Sequence, residues 1–176
     1  MNVNAKLQGF GPYLNREKMA PAFKLAASTG TRIASWEYKQ KQPLILYFLP
    51  ELDEAFLQKV EQIALDLQAY GTETLALLPL SVETLKEAAT RLKVTLPLLS
   101  DEEGATFQKY LKLVLPEDDK ENKEKGFEIK NLPAMLFVAD RFGAISRYAT
   151  TTEAANLPGK AEIMAMLEFL GNLCNP

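Results

Sequence analysis

Hydrophobic and polar positions along this chain follow two periods in turn, and the order in which they do so predicts most of its elements. After Pro43 the run Leu44-Ile45-Leu46-Tyr47-Phe48-Leu49 is apolar throughout, the pattern of a strand covered on both faces. Behind it Phe56, Val60, Ile63, Ala64 and Leu67 recur at spacings of three and four, which predicts a helix with one apolar stripe. Asp53 is suited to cap its start, Glu54 places a negative charge in its first turn, and Gly71 suits the turn that ends it. Residues 73–79 read as a second buried strand. Ser81 then caps a helix to about Leu92, with Leu85, Ala88, Ala89 and Leu92 inward.

A short extended piece, Leu96 to Asp101, precedes a helix through Phe107 and Tyr110. Residues 134–140 and 144–149 form a strand–turn–strand unit around Arg141-Phe142-Gly143. A last helix carries Ile163, Met166, Leu167 and Leu170 on one face. Upstream, the alternating stretches 20–25 and 31–36 flank Thr29-Gly30 and predict a hairpin. Strands alternating with helices, then a hairpin and a closing helix, indicate an α/β sandwich with a mixed sheet. Residues 1–19 are expected to be an amino-terminal extension, and residues 20–176 one domain. The charge-crowded stretch at about 116–130 is expected to be a solvated loop or insertion.

Composition narrows the chemistry more than the fold. A chain of 176 residues that is 47% hydrophobic can bury one sizeable core. Its net charge of −3 argues against nucleic acid, which calls for a basic face. No apolar run reaches the ~18 residues of a membrane span, and the first 19 residues lack the apolar core of a signal peptide. A cytoplasmic protein with no membrane partner is therefore expected. The chain has no histidine, which removes histidine bases, Ser-His and Cys-His pairs and most zinc sites. Its one cysteine, Cys174, allows neither an internal disulfide nor a Cys-x-x-Cys pair.

The remaining local signals are weak. Gly9-Phe10-Gly11 has no strand before it and is followed by Pro12, so it reads as a turn rather than a dinucleotide loop. The acidic run 117–121 lacks the spacing and glycine turn of a calcium loop. Glu51, Asp53 and Glu54 could supply carboxylate catalysis, but acids at a helix start are sufficiently explained by its dipole. No metal and no cofactor are expected.

Four strings, in order, carry a resemblance to a known family: Ala20-Pro21-Ala22-Phe23-Lys24-Leu25 with Gly30, Leu46-Tyr47-Phe48-Leu49-Pro50, Leu98-Leu99-Ser100-Asp101 with Tyr110, and Phe137-Val138-Ala139-Asp140 with Gly143 and Ile145. Over roughly residues 20–150 the chain resembles the peroxiredoxins of the alkyl hydroperoxide reductase/thiol-specific antioxidant group. The resemblance implies a thioredoxin-like three-layer sandwich with a central mixed sheet. It also implies a thiol peroxidase site of the form Pro-x-x-x-Thr-x-x-Cys plus an arginine from a later strand. There the helix start and the arginine would lower the thiol pKa and stabilise the departing oxygen.

Carried over onto this chain, the proline is Pro50, the threonine position holds Glu54, the cysteine position Leu57, and the arginine position Ala134. A carboxylate at 54 would raise the pKa of a neighbouring thiol. The set implied by the resemblance is thus dismantled at three of four positions. This favours a non-catalytic binding or regulatory module, with a protein partner or a second copy as its target. The alternative is an antioxidant, thiol-dependent oxidoreductase acting through Cys174 or a partner's thiol, although without a peroxidatic thiol a resolving cysteine has nothing to resolve. Leu132-Pro133-Ala134 lies near the place of the thioredoxin-like cis-proline, so Pro133 is a candidate for a cis bond, the alternative being an ordinary trans proline closing the charged loop. Leu57 itself is expected to be buried against the neighbouring strand ends.

Overall fold

The computed structural model describes residue 11, residues 18–116 and residues 118–174, without the side chains of residues 122 and 172–174. Among these residues seven strands and five α-helices follow one another: β1 (Lys24–Ala26), β2 (Arg32–Ala34), β3 (Leu44–Phe48), α1 (Glu54–Gln68), β4 (Glu73–Leu78), α2 (Val82–Leu92), β5 (Leu98–Ser100), α3 (Ala105–Val114), α4 (Lys120–Lys125), β6 (Ala134–Ala139), β7 (Ile145–Thr151) and α5 (Lys160–Cys174). The central sheet has the order β5-β4-β3-β6-β7. β3, β4 and β5 run parallel, joined by α1 and α2 as crossovers, while β6 and β7 are antiparallel. The mixed sheet and three layers expected from the sequence are present.

The two sheet faces bury different sets of side chains because successive strand residues point to opposite sides. Ile45, Tyr47, Leu49, Ala76, Leu78 and Leu136 pack with the stripe of α1, with Leu85 of α2 and with Ile163 of α5. Leu44, Leu46, Phe48, Leu75, Leu77, Met135 and Phe137 pack with Phe107, Tyr110 and Leu111 of α3 and with the β1–β2 hairpin. The hairpin is tied to the sheet edge by Ser28 N–H donating to Leu98 O at 2.8 Å and Leu98 N–H to Ser28 Oγ at 3.1 Å. Both predicted helix caps are made: Asp53 Oδ1 accepts from Phe56 N–H at 3.0 Å, and Ser81 Oγ from Thr84 N–H at 3.3 Å. Asp101 is buried because it caps α3, accepting from Thr106 and Phe107 N–H at 3.0 and 2.8 Å.

Two segments carry more structure than a loop or a bare extension would show. The charged stretch contains α4, supported by the Lys125–Glu121 pair at 2.6 Å, one turn apart on a run of good helix formers. Its far end is held to α3, where Phe127 N–H donates to Gln108 Oε1 at 3.0 Å. The expected extension at 1–19 falls mostly outside the described residues. Gly11, however, accepts from Arg147 Nη1 at 3.1 Å, and its N–H donates to Tyr148 O. A Cβ at this position would meet the Tyr148 ring and carbonyl at 2.9 Å, which accounts for glycine there.

Burial also sets a pH limit. Desolvation pushes the Tyr38 phenol from 10.0 up to about 12, and pushes those of Tyr47 and Tyr110 further. A raised folded-state pKa means that the unfolded chain releases these protons first. Stability from these groups is complete below pH 10 and is lost as pH rises through the folded values. Absorbance titration should show these phenols ionising together with alkaline unfolding; early, reversible ionisation of all the tyrosines in native protein would contradict this burial.

Candidate functional site

The segment that the family resemblance marks lies where β3 leaves the sheet. Leu49 N–H still bonds Leu77 O at 2.9 Å, after which Pro50, half-buried, ends the ladder. Glu51 and Leu52 lead to the Asp53 cap, and α1 begins at Glu54. Leu57, one turn in, donates its N–H to Asp53 O at 2.9 Å, and its side chain points down onto the sheet with 0% exposure. Ala134 opens β6 directly beyond the Phe48–Met135 pair and is likewise 0% exposed. Both belong to one apolar cluster that includes Tyr47, Leu49, Val60, Leu136 and Leu157.

Glu54 turns away from that cluster. It is exposed and forms an ion pair with Arg91 of α2, itself exposed. Such a surface pair contributes only about 0–1 kcal/mol, but it gives Glu54 a partner outside the apolar cluster. Sequence reading did not find Arg91, since nothing marks a residue on a different helix as a partner. It also passed over Tyr47, whose hydroxyl is buried with no hydrogen-bond partner and whose ring meets Phe56 edge-on at 6.3 Å. A tyrosine, the one residue with a polar atom on its side chain in an otherwise wholly apolar strand, was the available signal.

The candidate cis-proline is not realised. No peptide bond among the described residues is cis. The short 3-10 turn Ile129–Asn131 delivers Leu132 at φ −68° and ψ 134°, the extended geometry that residues before proline favour, so Pro133 enters β6 with a trans bond. Cys174 is the last residue of α5, and its side chain lies outside those described. Groups of three or more acidic or thiol ligands that could hold a metal do not occur among the described residues. No helix among them is long and apolar enough to cross a membrane.

A sequence profile described as the AhpC/TSA family matches residues 17–145, well over half of the chain. The chain belongs to the AhpC/TSA family. A search of curated proteins finds no significant match, so the family rests on this profile and the fold on solved structures. The AhpC protein of Enterococcus faecalis superposes with a TM-score of 0.70 at 17% identity, covering 94% of this chain and 98% of that one. The bacterioferritin comigratory protein of Xanthomonas campestris, described for its alkyl peroxide reduction activity, gives 0.63 at 16% identity over 87% and 92%. A putative thiol:disulfide interchange protein, DsbE, of Chlorobium tepidum gives 0.61 at 16% over 90% and 99%. At these identities the likeness establishes the fold, a thioredoxin-like sandwich of peroxiredoxin type. Within this AhpC/TSA scaffold the one cysteine is the last residue of α5, and the cluster at the strand end that opens onto α1 is apolar, aliphatic side chains with the Tyr47 and Phe56 rings.

Proposed function

We propose that this AhpC/TSA protein acts by binding, as a regulatory or scaffolding module, and does not reduce peroxides. One observation carries the reading: Leu57, at the position of the family's reactive thiol, is fully buried in the same cluster as Ala134, at the position of its arginine. Peroxide reduction needs an accessible thiolate in an electropositive setting, and the side chains at these positions are apolar and sealed. Glu54, at the threonine position, brings negative charge to the helix start and is paired with Arg91. The target is a second copy or another protein, and the protein acts in the cytoplasm.

The expected result is that purified protein with a thiol reductant consumes hydrogen peroxide no faster than the blank, and that Cys174→Ser gives the same trace. Consumption above the blank that Cys174→Ser abolishes would overturn this reading in favour of a thiol peroxidase working through Cys174. Turnover that survives the substitution would overturn it too, pointing to chemistry without the thiol.

A further inference from the structure

At the end of the sheet opposite Leu57, large hydrophobic side chains stand in water. Six are exposed among the described residues, and four of them, Met19, Trp36, Tyr70 and Phe142, belong to the segments at this end. The β6–β7 turn lies at its centre. Ala20 N–H donates to Gly143 O at 2.8 Å, and Gln40 N–H donates to Arg141 O. A Cβ on Gly143 would meet side-chain carbons of Lys39 and Met19 at 2.7 and 3.4 Å. Trp36 is one 3-10 turn before Lys39, whose N–H donates to Trp36 O at 3.3 Å. Beside Arg141 a cavity of about 260 Å³ opens against the last turns of α5, with Pro43, Leu167 and Leu170 as apolar walls and Tyr70 from the α1–β4 loop.

Single exposed hydrophobics need no explanation, whereas a group of them around a cavity marks an interaction surface. Aromatic residues, Met and Arg are also the types enriched at protein–protein interfaces, where a few anchors seated in pockets carry most of the affinity. Phe142 has the build of such an anchor. It is 52% exposed on a turn that Asp140 holds rigid, Oδ1 accepting from Phe142 and Ala144 N–H at 2.9 and 3.0 Å. Its ring also carries the Arg141 guanidinium, 4.9 Å from the centroid. The charges select the partner. Exposed Lys39, Lys41 and Arg141 are mixed with exposed Glu37 and Glu168 and with the tied Asp140, so a partner of one sign gains nothing from this face. A second copy does. Across a two-fold axis each residue meets its counterpart's neighbours, and Arg141 of one copy can oppose Glu168 of the other. Neither residue forms an ion pair within the chain among the described residues.

We infer that two copies of this chain associate through this face, about a two-fold axis that sets Phe142 of each against the cavity of the other. The inference makes the second copy the target in the binding reading, and it is tested by oligomeric state, which the peroxide assay does not touch. Light scattering of the full chain across the micromolar range is expected to show a monomer–dimer equilibrium. Phe142→Asp, at an exposed turn, should weaken the dimer about tenfold or more, the effect of losing an interface anchor. Arg141→Glu should weaken it as well, and adding Glu168→Arg should recover it. Ile129→Asp, an exposed hydrophobic position before the start of β6 at the other end of the sheet, should leave the dimer unchanged. The Leu167 and Leu170 methyl resonances should shift with protein concentration while those of Leu46, in the far core layer, stay in place. Equal weakening by Ile129→Asp, indifference to Phe142→Asp, or no recovery in the doubly exchanged protein would each overturn the assignment. A chain that stays monomeric throughout would overturn it too, and would leave the face to a different protein.

Discussion

Leu57→Ala is expected to lower the free energy of unfolding by about 2–5 kcal/mol, seen as a lower urea midpoint with an unchanged slope. The upper half of that range is favoured by the surroundings. Leu57 is fully buried and packed among Tyr47, Leu49, Val60 and Ala134. The helix turn that carries it is pinned twice, by the Asp53 side chain on Phe56 N–H and by Leu57 N–H on Asp53 O. A turn held in this way cannot move inward to fill the vacated volume, and the cost of such deletions rises with the cavity that remains. A loss below about 1 kcal/mol, the level of a typical substitution, would mean that this end of α1 is loosely packed and that an open cleft survives there. The related change Leu57→Cys would place a thiol at the position proposed for the family's cysteine, with no exposure and with Glu54 one turn earlier. Both conditions oppose the thiolate, so that cysteine should resist thiol reagents in native protein.

The fold was legible because its signals are local. Six consecutive apolar residues from Leu44 to Leu49 can hardly lie anywhere but between two covered faces, and the spacing from Phe56 to Leu67 admits one helix face. Asp53 and Ser81 announced their helix starts because a cap acts within three residues. What stayed hidden depends on distance along the chain. The Glu54–Arg91 pair joins residues 37 positions apart. The charged stretch gave no apolar period, so α4, supported by a lysine–glutamate pair rather than by burial, could not be seen. Proline 133 shows a different limit. Its sequence neighbourhood resembles a cis site, yet the isomer is set by how the preceding turn delivers the chain, and here that turn delivers an extended Leu132.

Phe48→Ala should be the most damaging single truncation on the other side of the sheet, at about 3–5 kcal/mol. Its ring lies 4.7 Å from Tyr110, 5.1 Å from Phe107 and 5.6 Å from Phe137, centroid to centroid, so one deletion strips contacts from three neighbours. The Phe107 and Phe137 contacts are edge-on, the arrangement worth about 0.5–1.5 kcal/mol beyond area burial. Tyr110 cannot follow the receding ring, because its hydroxyl donates to Pro21 O at 3.0 Å and holds the segment leading into the hairpin. The same geometry predicts how the deletions combine. Phe48 and Phe107 touch, so their double-mutant cycle should show a coupling of about 0.5–3 kcal/mol. Phe48 and Leu57 belong to separate clusters divided by the sheet and share no partner, so Phe48→Leu with Leu57→Ala should add to within about 0.3–0.5 kcal/mol. Strong coupling of that pair in denaturant titrations would mean that the two core layers report on one another through β3, and that a change at residue 57 is felt in the aromatic layer on the other side of the sheet.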